Sequence, residues 1–201
     1  MNICVYGASS RAIDKKYTDA AFALGKALAL RGHTLVFGGG NSGVMGASAR
    51  GADSVDGAKI LGIAPTFFNV DGVLYEHCTE FISPPDMRER KKLLENKSDA
   101  FVIAPGGIGT FDEFFEILTL KQLGRHNKPI AVLNVDGYYD PLLALLRHTV
   151  AGEFMNETSM MLFEVFDTVE TLLNYVEAYD EPHHEVSFFK KIGESVTKDD
   201  E

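Results

Sequence analysis

The sequence is short of cysteine, of long hydrophobic runs and of positive charge, and each shortage excludes a class of protein. Its two cysteines, Cys4 and Cys78, form neither a C-x-x-C pair nor a ligand cluster. We expect both to be reduced, buried thiols in a cytoplasmic protein. No apolar run approaches the roughly 18 residues of a membrane span, and the opening MNICVYGASS lacks the features of a signal peptide. We therefore expect no association with a membrane.

The excess of acid over base limits the partners that the protein can have. Its 201 residues include 29 Asp and Glu against 19 Lys and Arg, which is a net charge of −10. This balance argues against nucleic acid as the main partner. An anionic small substrate would need a local island of positive charge. Residues 85–97, PDMRERKKLLENK, contain such an island.

Short apolar runs alternate with segments of helical period along most of the chain. This alternation predicts an α/β fold, a single Rossmann-like doubly wound parallel sheet with helices on both faces, over residues 1–179. The stretch 65–85 interrupts this alternation of strands and helices, and we expect it to form a long, partly irregular excursion near the site. Residues 180–201 predict a polar C-terminal tail. The expected strands are 2–7, 34–38, 59–64, 99–104, 128–134 and 161–166, and the expected helices are 17–31, 43–56, 86–98, 110–123, 138–151 and 167–179.

Three of the expected strands end in glycine-rich or small-residue loops: YGASS at 6–10, FGGGNSGVMG at 37–46 and PGGIGT at 105–110. In such folds ligands bind beyond the carboxyl ends of the strands. The backbone N–H groups of the three loops could converge there on one anion. The loop residues that we expect to contact a substrate or its phosphate are Ser9, Gly39, Gly40, Gly43, Gly106, Gly107, Ile108, Gly109 and Thr110.

The kind of anion follows from what these loops lack. A dinucleotide site would have an acid about 20 residues beyond the glycines, where this chain has Ala64, Pro65 and Thr66. A phosphate loop of the G-x-x-x-x-G-K-[ST] type has a lysine directly after its last glycine, and no lysine follows the glycines of these loops. We therefore favour a smaller phosphate-bearing ligand, such as a mononucleotide.

The basic helix 86–98 presents one arginine differently from the others. Arg90 shares the apolar stripe of Met87, Leu93 and Leu94, whereas Arg88 falls on the solvated face. An inward arginine is costly unless an anionic group meets it. A substrate phosphate, a ribose edge held together with a carboxylate, or a structural ion pair would each serve.

The acids that follow the third glycine loop also have a structural interpretation. Thr110 and Glu113 match a capping box, with Thr110 as the N-cap and Glu113 three residues later. Asp112 and Glu116 suit the positive end of the helix dipole and its solvated surface. From these residues alone, Glu113 is either a cap or a catalytic carboxylate.

Two longer motifs carry a resemblance to a known family. MRERK at 87–91, together with PGGIGTFDE at 105–113, resembles the M-x-x-R-K plus P-G-G-x-G-T-x-x-E signature of the LONELY GUY (LOG) family. These are cytokinin riboside 5'-monophosphate phosphoribohydrolases, often mislabelled as lysine decarboxylases. GGGNSGVMG, at 38–46, is similar to that family's second glycine loop. The resemblance covers roughly residues 2–175.

The resemblance implies a homodimeric hydrolase that needs no cofactor and cleaves the N-glycosidic bond of a purine nucleoside 5'-monophosphate. Arg90 and Glu113 would be its catalytic residues, and Met87 and Lys91 would contact the substrate. Glu113 would stabilise an oxocarbenium-like ribose and position or activate water. Arg90 would orient the substrate and lower the pKa of Glu113.

Several alternatives stay open. A non-enzymatic nucleotide-binding or molybdenum-cofactor carrier protein would have a similar fold. A decarboxylase that uses pyridoxal phosphate would need a Schiff-base lysine, and no lysine here has a suitable context. The pair His183–His184 with Glu185 is not expected to bind metal. The preferred base, adenine or isopentenylated adenine, is left undecided, because this chain has Arg88 where the family often has histidine and because the excursion 65–85, which would shape the base pocket, does not align with typical members.

Overall fold

The computed structural model describes residues 1–180, which form one seven-stranded, all-parallel sheet covered by six α-helices. The strand order is β4-β3-β2-β1-β5-β6-β7. The strands are β1 Asn2–Tyr6, β2 Thr34–Phe37, β3 Lys59–Ile63, β4 Glu80–Ile82, β5 Ala100–Ile103, β6 Ile130–Leu133 and β7 Glu164–Phe166. The helices are α1 Lys15–Leu30, α2 Gly43–Asp53, α3 Met87–Lys97, α4 Ile108–Gln122, α5 Asp140–Ala151 and α6 Val169–Ala178. Three short 3-10 helices span Thr66–Phe68, Val135–Gly137 and Glu157–Leu162.

The strands read as continuous apolar runs because both faces of the sheet are buried. In β1, for example, Ile3 and Val5 pack into one core cluster and Cys4 and Tyr6 into the other. Helices α1, α2 and α6 cover the first cluster, and α3, α4 and α5 cover the second. The doubly wound parallel fold predicted from the sequence is therefore confirmed.

Helices α1 and α2 approach so closely that glycine is required at their contact. A β-carbon at Gly25 of α1 would overlap the backbone carbonyl of Ser48, and one at Gly51 of α2 would overlap that of Phe22. Two small residues therefore let the helix backbones touch. The close contact fixes the middle and C-terminal part of α2 against α1.

The structure differs from the sequence-based expectation for two strands and for one cysteine. The stretch 65–85, expected to be partly irregular, contains one strand that the sequence did not predict: β4, Glu80–Ile82, which pairs in parallel with β3. Strand β7 begins at Glu164, because Met161 and Leu162 belong to a 3-10 helix. Both cysteines are free thiols, but Cys78 is only partly buried. The expected tail, apart from Asp180, and the sequence His183–Glu185 lie outside the described residues.

Strand order reverses between β1 and β5, which lie side by side although long stretches of chain separate them. Connections on the two sides of this point run to opposite faces of the sheet, so a crevice opens at the carboxyl ends of the two strands. Between residues 1 and 180, no helix is both long enough and apolar enough to span a membrane.

Candidate active site

A cavity of about 540 Å³ lies at this crevice. The loops that follow β1, β2 and β5 line it, together with residues from the excursion after β3 and from α3 and α4. The three loops that the sequence singled out therefore meet at one place, as parallel strands require.

Direct hydrogen bonds tie the three loops to one another. The Ala8 N–H donates to the Pro105 carbonyl at 3.1 Å, and the Met45 N–H donates to the Ala8 carbonyl at 3.1 Å. Gly43 has a φ of +62°, and a β-carbon there would overlap the carbonyl oxygens of Ala8 and Ser10. Gly43 thus joins the second loop to the first rather than facing the cavity.

Helix α4 begins at Ile108, with Gly107 as its N-cap and with no side-chain cap. Its first internal bond runs from the Phe111 N–H to the Gly107 carbonyl, at 3.0 Å. The amides of Ile108, Gly109 and Thr110 consequently have no partner within the helix. All three residues line the cavity, where the positive end of the helix dipole favours an anion.

The capping box expected at Thr110 and Glu113 is wrong. Thr110 is the third residue of the helix and is buried, and its hydroxyl packs where a β-carbon of Gly106 would lie. The helix starts two residues before Thr110, at Ile108, and its N-cap Gly107 has no side chain to cap the helix. Glu113 then lies on the same buried face as Thr110 and Ile117, pointing into the protein.

Two consecutive tyrosines hold the loop before α4 from below. The Tyr138 hydroxyl donates to the Gly106 carbonyl at 2.6 Å, and the Tyr139 hydroxyl donates to the Ala104 carbonyl at 2.7 Å. In a trans peptide the carbonyl and the following N–H point in opposite directions. Anchoring the Gly106 carbonyl on Tyr138 therefore directs the Gly107 N–H away from Tyr138.

At the base of the cavity Arg90 and Glu113 form an ion pair. Arg90 Nη1 donates to Glu113 Oε1 at 2.7 Å, and Arg90 Nε donates to the Ile63 carbonyl at 3.3 Å. The two residues are 7% and 8% exposed, and both line the cavity. Gly38 is required beside them, because a β-carbon at that position would overlap the guanidinium. Arg90 faces inward and Arg88 is exposed, as the helical stripe predicted.

Burial raises the pKa of Glu113 above its ordinary value, and the charge and hydrogen bond of Arg90 oppose this rise without cancelling it. Arg90 therefore lowers the pKa of Glu113 as expected, but burial raises it by more, so the net pKa lies above the ordinary value. The reason is that a carboxylate removed from water loses more solvation than one guanidinium replaces. The same buried layer raises the pKa of the Cys4 thiol to about 12, first by desolvation and then by the nearby Glu113 charge.

Lys91 does not reach the cavity. Its Nζ lies 3.1 Å from Asp112 Oδ2 and 2.9 Å from Glu116 Oε2, both on α4. The two acids expected to serve only the helix dipole and solvation thus form ion pairs between α3 and α4. The pairing gives Lys91 a structural partner in place of a ligand.

The structure brings together most of the residues predicted to form a site, and it leaves four outside. Gly39 has a φ of +75° and packs against Phe81 and Ala64, while Gly43, Lys91 and Gly106 have the contacts described above. Those that line the cavity are Ser9, Gly40, Met87, Arg90, Gly107, Ile108, Gly109, Thr110 and Glu113.

The excursion after β3 forms a wall of the cavity, as its expected position near the site implied, but the sequence did not identify which of its residues line that wall. The Asn41 N–H donates to the Val73 carbonyl at 2.9 Å, and the Tyr75 N–H donates to the Gly39 carbonyl at 2.8 Å. These bonds bring Phe68, Val73 and Leu74 to the cavity. No periodic pattern in this stretch could have identified them.

Arg11 is a second omission. Its Nε donates to Ser42 Oγ at 2.9 Å, at the edge of the cavity. A basic residue directly after a small-residue loop was a signal that the sequence did contain. The missed lining also includes backbone-rich positions of the same loops, namely Gly7, Ala8, Ser10, Gly38, Asn41, Ser42 and Met45.

Fold and site together define a class: a Rossmann-like α/β protein whose glycine loops and helix N-terminus surround a cavity lined by a buried Arg–Glu pair. A family model described as "possible lysine decarboxylase" matches residues 45–176. The chain belongs to this family, which is the LOG family that the two motifs indicated.

Its relatives in plants carry a consistent name. A probable cytokinin riboside 5'-monophosphate phosphoribohydrolase of Oryza sativa subsp. japonica is 38% identical over 92% of this chain and 73% of its own length. A cytokinin riboside 5'-monophosphate phosphoribohydrolase of Arabidopsis thaliana is 36% identical over 92% of this chain and 86% of its own.

Solved structures with the same fold include proteins of a different stated role. The molybdenum cofactor binding protein of Rippkaea orientalis has a TM-score of 0.69 at 23% identity, covering 88% of this chain and 95% of that one. A molybdenum cofactor carrier protein of Chlamydomonas reinhardtii has a TM-score of 0.65 at 22% identity, covering 88% and 94%. At such identities the likeness establishes the fold alone.

Proposed function

We propose that the protein is a hydrolase that cleaves the N-glycosidic bond of a purine nucleoside 5'-monophosphate, releasing the free base and ribose 5-phosphate. The single observation that carries this proposal is the buried Arg90–Glu113 pair, which lies directly below a helix N-terminus suited to phosphate. The curated relatives, which are named as phosphoribohydrolases, support the same reaction.

The phosphate would bind the amides of Ile108, Gly109 and Thr110, which the helix leaves without internal partners. The ribose would then lie over Glu113. The bond to Arg90 occupies Oε1, and no residue among 1–180 bonds to Oε2. That second oxygen is available to stabilise the positive charge that develops on the ribose, or to take a proton from the attacking water. Arg90 would orient the carboxylate and the substrate.

Decarboxylation, which the family description mentions, is not favoured by this site. Pyridoxal phosphate requires a lysine for the Schiff base and an acid near the pyridine nitrogen. No lysine lines the cavity within residues 1–180, and its one carboxylate, Glu113, is bound to Arg90. The residues present do not fit that cofactor.

A carrier protein is the alternative from a different class, supported by the fold of the molybdenum cofactor proteins. A carrier needs a binding cavity but has no need of a buried, charge-paired carboxylate beside it. The Arg90–Glu113 pair therefore favours hydrolysis.

The proposal is tested by incubating the protein with AMP and with isopentenyl-AMP, and by measuring the free base and ribose 5-phosphate. We expect equal amounts of the two products, with the ratio of the two rates identifying the preferred base. Binding of nucleotide without release of base would refute hydrolysis and favour a carrier.

We further propose a homodimer, with residues 1–179 as the catalytic domain and 180–201 as an appended tail, located in the cytoplasm. Exposed apolar side chains support a surface covered by a second copy: Ile108, which lines the cavity, is 86% exposed, and Phe67 and Val70 of the excursion after β3 are 57% and 60% exposed. Light scattering at micromolar concentration would detect the dimer, and a monomer mass would contradict it.

A further inference from the structure

A second cavity, of about 370 Å³, opens beside the active-site cavity. The two share four lining residues, Ser10, Arg11, Asn41 and Ser42, so they are contiguous. Thr18, Gly43 and Arg50 complete the second lining. Hydroxyl, amide and guanidinium groups surround this space, and no carboxylate of the part described, residues 1–180, is among them.

The two arginines at this cavity are held by neutral partners. Arg11 Nε donates to Ser42 Oγ at 2.9 Å, and Arg50 Nη1 donates to the Asn41 carbonyl at 2.9 Å. Within residues 1–180 neither forms an ion pair, whereas Arg31 and Arg90 pair with Glu177 and Glu113. One cavity of a protein with a net charge of −10 is therefore lined by two guanidinium groups that have no ion-pair partner within residues 1–180.

These bonds orient the guanidinium groups but use few of their donors, since each has five N–H bonds. Guanidinium forks match the oxygens of a phosphate group and bind it more strongly than neutral donors do. The hydroxyls of Ser10 and Thr18 lie in the same lining and can donate to further oxygens.

We propose that this second cavity binds a phosphate group in addition to the 5'-phosphate held before α4. The inference rests on the proposed function only for the location of the first phosphate. Because the cavities are contiguous, the second group can belong to the same nucleotide, as a diphosphate or a bisphosphate. Free phosphate or pyrophosphate bound beside a monophosphate offers the same chemistry.

The test compares affinities by titration calorimetry at 0.15 M KCl, using AMP, ADP, adenosine 3',5'-bisphosphate and pyrophosphate. Titrations use the Glu113→Gln background, so that no ligand is consumed; if the parent does not hydrolyse AMP, they use the parent. The diagnostic variant is Arg50→Gln, since Arg50 lines only the second cavity. Arg88→Gln is the matched control, because it makes the same change of charge at an exposed position outside both linings.

We expect at least one diphosphate or bisphosphate to bind more tightly than AMP. Arg50→Gln should lower the affinity for that ligand ~10-fold more than it lowers the affinity for AMP. Arg88→Gln should leave the affinity for both ligands unchanged. If instead pyrophosphate binds to the AMP-loaded protein in an Arg50-dependent way, the second group is a separate anion. The inference is refuted if no ligand loses affinity in Arg50→Gln beyond the loss in Arg88→Gln. Absence of hydrolysis of both AMP and isopentenyl-AMP would refute the proposed function, and the affinities measured here would still decide whether the second cavity binds phosphate.

Discussion

Replacing Glu113 with glutamine separates the charge of this side chain from its shape. Glutamine has the same size, and its carbonyl oxygen can still accept the 2.7 Å bond from Arg90 Nη1. It cannot stabilise a positive ribose or take a proton from water. We expect hydrolysis of AMP to slow by at least ~100-fold, the low end for loss of a general base, while AMP still binds.

The expected effect of this change on stability follows from the raised pKa. A carboxyl whose pKa is raised on folding is one whose neutral form folding favours. Its stability contribution is fully present below the unfolded pKa and is lost as pH rises through the folded pKa. A permanently neutral glutamine should therefore cost less than ~1 kcal/mol at neutral pH. Glu113→Ala, by contrast, leaves the buried Arg90 without its acceptor and should cost ~2–4 kcal/mol.

The assay is the release of adenine by chromatography, with thermal melts run on the same samples. Glu116→Gln is the matched control: it lies on the same helix but pairs with Lys91, outside the cavity. It should keep activity within ~2-fold and lose under ~1 kcal/mol, as partly exposed ion pairs do. A Glu113→Gln variant that melts normally and keeps more than a third of the parent rate would refute the catalytic role, and one that loses several kcal/mol would refute the electrostatic account.

Four further outcomes are expected. Arg90→Ala should abolish hydrolysis while Arg88→Ala keeps most of it, since only the first is buried in the site; equal losses in steady-state rate would contradict this. Ribose 5-phosphate should inhibit AMP hydrolysis competitively, because the loop before α4 holds phosphate whatever the base, and no inhibition at millimolar concentration would count against that location. Tyr138→Phe removes the bond to the Gly106 carbonyl and should raise KM about 5-fold, the size of one hydrogen bond, with kcat nearly unchanged; an unaltered KM would show that the bond does not position the loop. Burial lowers the pKa of the His126 imidazole from 6.5 to about 4. As the pH falls, the unfolded chain therefore binds this proton before the folded protein does, and the stability present above pH 6.5 is lost as the pH falls towards 4. In urea unfolding, the free energy of unfolding of the parent should fall between pH 7 and pH 5 by at least ~1 kcal/mol more than that of His126→Gln.

The sequence by itself determined the features that depend on local periodicity. Continuous apolar runs predicted six of the seven parallel strands, because a strand buried on both faces has no polar side. The stripe of Met87, Leu93 and Leu94 sent Arg90 inward and Arg88 outward, because a helix repeats every 3.6 residues. Glycine-rich strand ends predicted the loops that meet at the cavity.

Only the tertiary structure decided which groups those elements meet. Thr110 and Glu113 match a capping box, but the helix starts at Ile108, Thr110 packs against Gly106, and Glu113 accepts a hydrogen bond from Arg90. Lys91 belongs to a family motif, yet acids on the neighbouring helix hold it outside the cavity.

Three features could not be predicted for the same reason: strand β4, the cavity wall after β3 and the positions of the two arginines of the second cavity. Each depends on partners distant in the chain: β4 on β3, Val73 on Asn41, and Arg11 on Ser42. The free energy of such contacts depends on distances and burial that no local pattern encodes. The pKa of Glu113 likewise depends on tertiary structure, because burial raises it and the neighbouring Arg90 lowers it. Local propensity placed the backbone elements, and packing between them decided the chemistry of the site.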